Sequence, residues 1–244
     1  MRLLYPDPAD EADLAAVYAD MPKQALRPAV RLNMIVSVDG GTSWNGVSGA
    51  LGGSADKALF AVLRSLTDVV LVASATMRAE HYGPAVLAPE AQEVRRRRGQ
   101  TAVPKIAVVS RTCQFDWNSS FFTAAEQRPI VFTVSTAPDE NLTRAADVAE
   151  VIIAGEEDVD LKYAVDELGE RGAQSVLAEG GPTLNGQLAR AGLLDELCVT
   201  VSPLLASCDA KRIISGSTLD VLEPLRLRSI CEEDGYLFVR YRTE

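Results

Sequence analysis

A series of short apolar runs, each closed by small or polar residues, constrains this chain most strongly: 69–72, 106–109, 130–134, 151–153 and Val176-Leu177. Runs of this length without polar alternation suit strands buried on both faces, as in parallel sheets covered by helices on each side. Helical patterns lie among them. Leu59, Val62, Leu63 and Leu66 form one stripe behind a capping Ser54, with Asp56 in the first turn. Leu161, Val165 and Leu168 form another, which stops at Gly172. The expectation is an α/β fold: one domain with an open, mainly parallel sheet whose ligands gather at the strand C-termini. At 244 residues and 47% hydrophobic content, a single large core is within reach.

The character changes after Gly192. Asp195-Glu196-Leu197 opens an alternating strand to Ser202, and 225–231 and 236–242 flank the turn Glu232-Glu233-Asp234-Gly235 as an antiparallel C-terminal hairpin. Near the other end, Leu14, Val17 and Tyr18 stand at helical spacing before Met21-Pro22 and Pro28 break the pattern. Residues 1–29 therefore read as an N-terminal helix and linker, and 30–244 as the domain proper.

Two strand ends have the makings of an anion cradle. In Ser175-Val176-Leu177-Ala178-Glu179-Gly180-Gly181-Pro182-Thr183-Leu184 a short strand meets paired glycines and then a helix, with Pro182 where a missing N–H is tolerated. Free N–H groups and the helix dipole at such a junction favour a pyrophosphate or carboxylate, although Gly-Gly also serves any chain that merely turns. Ala73-Ser74-Ala75-Thr76 offers small residues and two hydroxyls at a second junction. A third strand, 30–38, runs into Ser37-Val38-Asp39-Gly40-Gly41, which holds Asp39 at a strand terminus. The following 42–53 loop, rich in glycine and carrying Trp44, has the composition of a mobile flap.

A net charge of −10 argues against nucleic acid or an anionic membrane as partner. Arg95-Arg96-Arg97-Arg98 is the one basic cluster, and its polar setting between Pro89 and Pro104 reads as a solvated loop. Cys113, Cys198, Cys208 and Cys231 form no Cys-x-x-Cys pair, so neither a metal site nor a disulfide framework is expected, and a reduced cytoplasmic setting fits. Neither a basic-apolar leader nor an apolar run of membrane-spanning length is present. The single histidine, His81, leaves no Ser-His-Asp chemistry unless it is itself the base, and it reads as an ordinary loop or helix-end residue.

Taken as an ordered set, several motifs resemble one family. They are Ser37-Val38-Asp39-Gly40, Leu63-Arg64 with Asp68-Val69-Val70-Leu71-Val72, Thr76 with Glu80 and Tyr82, Glu179-Gly180-Gly181-Pro182-Thr183-Leu184, and Leu194-Asp195-Glu196-Leu197. Over roughly 30–242 the chain is similar to the pyrimidine reductases of riboflavin biosynthesis, whose fold is related to dihydrofolate reductase. The resemblance implies NADPH-dependent reduction of 5-amino-6-(5-phosphoribosylamino)uracil to its ribitylamino product, and a homodimer. The zinc-dependent deaminase domain often fused to this family has no counterpart here, so this chain is not expected to deaminate. Two departures stand out: Gly41 replaces a lysine that many members carry, and Ala73 and Ala75 stand where the family favours glycine.

Carried over residue by residue, the resemblance assigns the pyrophosphate and nicotinamide half of NADPH to Gly180, Gly181, Pro182, Thr183 and Leu184. Ser74 and Thr76 would touch phosphate or ribose, and Ser110 and Arg111 the 2′-phosphate. Asn33, Ser37 and Glu179 would bind the substrate, and Asp39 would stabilise positive charge on the sugar as hydride arrives. Local readings stand beside these: Ser37 and Asp39 could brace the glycine turn, Glu179 could cap a helix, and Arg111 could be a surface arginine. Dihydrofolate or another pterin is the alternative substrate, and a catalytically silent NADPH-binding dimer the alternative class.

Overall fold

The computed structural model describes residues 1–22, 24–207 and 209–244, so Cys208 lies outside the described residues. The apolar runs form β3 (Val69–Ala73), β4 (Lys105–Val109), β5 (Ile130–Thr133), β6 (Glu150–Ile153) and β7 (Ser175–Ala178). They are preceded by β1 (Arg2–Tyr5) and β2 (Ala29–Ser37) and followed by β8 (Glu196–Ser202), β9 (Leu225–Glu233) and β10 (Tyr236–Thr243). All ten join one sheet in the order β1-β9-β10-β8-β2-β7-β3-β4-β5-β6. From β8 through β2 to β6 every neighbouring pair is parallel, and β8-β10, β10-β9 and β9-β1 are antiparallel.

Among the described residues eight helices accompany the sheet: α1 (Leu14–Tyr18), α2 (Ser54–Leu66), α3 (Ser74–Ala79), α4 (Pro89–Arg97), α5 (Ser120–Thr123), α6 (Asp139–Val148), α7 (Leu161–Glu170) and α8 (Pro182–Arg190). Alternate residues of each inner strand enter opposite cores, as a period of two requires. Val70 and Val72 pack with Leu59 and Leu63 of α2, while Val69 and Leu71 pack with Val165 and Leu168 of α7. The hairpin turn is tighter than the four residues read from sequence. Asp234 (φ 53) and Gly235 (φ 80) alone span it, the pair of positive-φ positions that a two-residue turn demands.

The first 29 residues, read as an outer helix and linker, contribute β1 to the sheet edge and the fully buried Tyr18 to the core. Their anchor is the Leu194-Asp195-Glu196-Leu197 motif. Asp195 accepts from Arg27 (2.6 and 2.9 Å), Gln24 (2.6 Å) and the amide of Val30 (2.7 Å). Glu196, fully buried, accepts from Arg31 (2.5 Å), Arg240 (2.7 Å) and Arg242 (3.0 Å). Burial alone would raise its carboxyl, but the three guanidinium groups outweigh it and hold it below the usual glutamate range.

The arginine cluster needs correction. Arg95 to Arg97 belong to α4, and Arg95 is fully buried. Its guanidinium donates to the carbonyls of Arg64 (3.3 Å), Ser65 (3.1 Å) and Thr67 (2.5 Å), where the end of α2 leaves carbonyls without intrahelical donors, and to that of Thr101 (2.8 Å). Charge at this position is consumed in capping a neighbouring helix. Among the described residues Cys113, Cys198 and Cys231 are free and buried, and burial pushes the Cys198 thiol up to about 12.

Candidate active site

The C-terminal ends of β2, β3 and β7 open into a cavity of about 510 Å³. Its floor comes from Asn33, Met34 and Ile35 of β2, and one wall from Asp56 and Phe60 of α2. Thr76, Ala79 and Glu80 at α3 face Gly181 and Pro182 at the start of α8, and Thr42, Ser43, Gly46 and Ser48 of the 42–53 loop close another side. That loop is held at both ends of its turn. Trp44 and Val47 exchange backbone bonds across Asn45 and Gly46, both at positive φ, and the Ser48 amide donates to Glu80 at 2.6 Å.

Glu179 is the best-organised charge in the cavity. Directly after β7, and 6% exposed, it accepts from Arg64 Nε (2.8 Å) and Nη2 (2.7 Å) and from the Tyr82 hydroxyl (2.7 Å). Burial works against the Arg64 charge, yet attraction to Glu179 prevails and holds it above its ordinary value. Burial, reinforced by Glu179, keeps Tyr82 firmly protonated and so a donor. Asn33 supplies the complementary feature, because its Oδ1 is buried and has no partner. An unpaired acceptor at the base of a cavity is costly unless a ligand N–H or O–H completes it.

The two strand-end cradles face each other across a narrow gap. Gly180 sits at φ +89, its peptide to Gly181 is cis, and its carbonyl accepts from the Ala73 amide at 2.7 Å. A Cβ placed on Gly181 would stand 2.5 Å from Thr76 Oγ1, so the Thr76 hydroxyl already lies against the bare backbone where a side chain at 181 would begin. The bare backbone, the Thr76 hydroxyl and the N-terminus of α8 together fit a pyrophosphate-bearing cofactor.

The structure brings together Asn33, Thr76, Glu179, Gly181 and Pro182, with Gly180 directly behind them. Other residues singled out in the sequence lie elsewhere. Ser37 is buried and staples its own turn, its Oγ accepting from the Gly41 amide at 2.9 Å. Asp39 is exposed and outside the cavity, where it accepts from the amides of Ala206 (3.1 Å) and Ser207 (2.8 Å). The Ser37 hydroxyl, followed by these two amides, lowers it to about 2. Leu184 lies in the core beneath α8, Thr183 is exposed, and Ser74 is not in the cavity wall. Ser110 is buried, its Oγ accepting from the Cys113 amide at 3.1 Å. Arg111 stands on the surface in a 3.2 Å ion pair with Asp158.

Asp56, Phe60, Thr42 and Lys211 line the cavity without having been singled out as site residues. In sequence Asp56 is a favourable first-turn charge of α2; in the fold, burial raises its carboxyl above the usual range. Lys211 reaches the cavity from the segment after β8, a long-range placement with no local signal.

The sequence profile of the RibD C-terminal domain matches residues 28–234. The chain belongs to that family. The matched span starts one residue before β2 and ends in the β9-β10 turn, so β1, α1 and β10 lie outside it. An Archaeoglobus fulgidus protein named 2,5-diamino-6-ribosylamino-4(3H)-pyrimidinone 5′-phosphate reductase is 28% identical over 81% of this chain and 94% of its own. An Aquifex aeolicus protein of the same name is 29% identical over 83% and 91%. A solved pyrimidine reductase-like protein from Corynebacterium diphtheriae superposes with a TM-score of 0.85 at 30% identity, covering 95% and 98%. Among the described residues no helix of this RibD C-terminal domain is long and apolar enough to cross a membrane.

Proposed function

We propose that this protein reduces a 6-(ribosylamino)pyrimidine 5′-phosphate to its ribityl product in riboflavin biosynthesis, with NADPH as hydride donor. The observation that carries this reading is the Arg64-Glu179-Tyr82 constellation, which presents a buried, fixed carboxylate at the same cavity as the Gly181-Thr76 cradle. The names borne by the curated relatives support it, and they specify a 2,5-diaminopyrimidinone where the resemblance in sequence pointed to the deaminated uracil.

A reduced nicotinamide, when bound, supplies the hydride, so the protein has to align the two partners and stabilise charge. Gly180, Gly181 and Thr76 would hold the cofactor phosphates, and Pro182 would start α8 without competing for its orphan N–H groups. Asn33 Oδ1 would accept from a pyrimidine N–H or a sugar hydroxyl. The Glu179 carboxylate would face the sugar carbon as it takes on cationic, imine-like character. Held by three donors, it needs no reorganisation when that charge appears. Asp39, occupied by two loop amides and the Ser37 hydroxyl, is left with a positioning role. The exposed Arg111-Asp158 pair, worth little in water, could release Arg111 to a 2′-phosphate.

Leu204, Leu205, Val221 and Leu222 in the segment between β8 and β9, Leu225 on β9 and Leu237 on β10 are exposed, and this apolar exposure supports assembly as a homodimer. Sedimentation would test it, with a monomer at micromolar concentration as the contrary result. The decisive assay follows NADPH and NADH oxidation with the diaminopyrimidinone ribosyl phosphate, its uracil counterpart and dihydrofolate in parallel. Turnover of either pyrimidine with NADPH preferred is the expected outcome. Turnover of dihydrofolate alone would replace the substrate, and cofactor binding without turnover would make the protein a binding module.

A further inference from the structure

A phosphorylated substrate entering this cavity meets an acidic lining. Asp56, Glu80, Glu179 and Asp209 face it, and Lys211 is the one basic side chain among the described lining residues. Arg64, the other nearby cation, is committed to Glu179 at 2.7 and 2.8 Å. Lys211 makes no ion pair among the described residues, with Asp209 or any other carboxylate.

The backbone around Lys211 is docked with care for a surface loop. The Val38 amide donates to the Leu204 carbonyl at 3.0 Å, Asp39 accepts from the amides of Ala206 and Ser207, and Thr42 Oγ1 donates to the Lys211 carbonyl at 2.8 Å. Between these contacts lies Gly41. A Cβ there would stand 3.1 Å from Ser37 Oγ, 3.3 Å from Ala206 Cβ and 3.6 Å from Ala210 Cβ, so the later segment fills the space that a side chain at 41 would use. The absence of a long residue at 41 and the arrival of a lysine at 211 are two sides of one packing arrangement.

We propose that Lys211 is the phosphate-binding cation of this enzyme, set in the cavity by the docking of its segment onto Asp39, Gly41 and Thr42. An ammonium on a flexible stem suits this task, since a phosphate dianion offers acceptors in every direction and a point charge meets them without fixed geometry. Asp39 then serves the substrate indirectly, as the carboxylate that pins the segment. The inference rests on the reading of the substrate as a ribosyl phosphate.

The test uses Lys211→Met and Lys211→Arg in the full chain. The phosphorylated pyrimidine should show KM raised about tenfold or more in the Met variant, the loss of one charge-assisted contact, with kcat within about twofold. The Arg variant should recover most of the loss, and the dephosphorylated riboside should not distinguish Met from wild type. Asp39→Asn should raise KM in the same direction through a loosened segment. Binding of inorganic phosphate to the NADPH-saturated protein, followed by calorimetry, should weaken in parallel in the Met variant. An unchanged KM for the phosphorylated substrate overturns the proposal, and so does a weakened NADPH affinity with KM unchanged, which would assign the lysine to the cofactor. If the wild type turned over neither pyrimidine yet bound phosphate through Lys211, the anion site would stand and the substrate reading alone would fail.

Discussion

At the scale of single residues, the site divides between groups that face the cavity and groups that hold others in place. Glu179 is the first kind. Glu179→Gln keeps the size of the side chain and removes the charge, so kcat should fall by about 10² to 10³, equivalent to roughly 2.7 to 4 kcal/mol, with NADPH affinity little changed. Single-turnover rates at saturating cofactor measure this. A fully active Gln variant would remove Glu179 from the chemistry. The same change leaves Arg64 without its partner, so the melting temperature is read alongside, and a variant still folded at the assay temperature is required. Gly181 is a residue whose value lies in what it lacks. With Thr76 Oγ1 2.5 Å from an added Cβ, Gly181→Val should abolish NADPH binding in a folded protein. Fluorescence titration against a circular dichroism control checks it, and an unchanged affinity would reduce Gly-Gly to a turn. The sequence singles out both positions because strand-glycine-helix junctions have a local signature. It aims Asp39 at the substrate because a carboxylate at a strand end has no local feature that distinguishes a ligand from the amides of a segment 167 residues later.

Among the elements, α4 shows where periodicity fails as a guide. Strands β3, β4 and β5 were legible because two-sided burial leaves uninterrupted apolar runs. Helix α4 was not, because its one fully buried residue is Arg95, and four consecutive arginines look like solvated surface until the carbonyls at the end of α2 are in view. Arg95→Met would leave those carbonyls buried and unpaired. The expected loss is about 3 kcal/mol of stability, two or three orphaned acceptors at about 1 to 3 kcal/mol each partly relieved by water entering. Chemical denaturation measures it, and Arg96→Met in the same helix, on an exposed side chain, should change stability by less than about 0.5 kcal/mol. Equal effects of the two substitutions would show that Arg95 is not a cap. The short N-terminal elements escaped notice for a related reason. Tyr18 is in the core, but what holds its segment there is polar: Asp195 and Glu196, at the start of β8, accept from Arg27, Arg31 and Arg240.

For the whole molecule, the two halves of the sheet are joined by different chemistry. On the parallel side, strands and helices meet through apolar cores that pH does not touch. At β2, β8 and β10 the junction is Glu196 with Arg31, Arg240 and Arg242, backed by Asp20, which accepts from Arg240 at 2.6 Å. The order of strands in that junction could not be read from sequence, since Arg31, Glu196 and Arg240 become neighbours only when β8 pairs with β2 in parallel and with β10 antiparallel. The arrangement predicts how the fold responds to acid. Glu196 titrates below its ordinary 4.5 in the folded protein, because the three guanidinium groups outweigh the burial that would raise it. The unfolded chain therefore takes up the proton more readily, and the stabilisation from Glu196 is complete above the ordinary value and is lost as pH falls through the lower, folded one. Melting temperature should hold level near neutrality and drop steeply below about pH 4.5, with little relief or harm from added salt, since a buried pair is poorly screened. Glu196→Gln should flatten much of that acid slope while lowering stability at pH 7 by about 3 to 5 kcal/mol, because Arg31 keeps its buried charge without a counterion and Arg240 is left with the half-exposed Asp20 alone. A Gln variant that is as stable as wild type at pH 7, or one that keeps the full acid slope, would show that the arginines are neutralised by Asp20 and the backbone carbonyls and that the carboxylate is not what binds the antiparallel half to the rest.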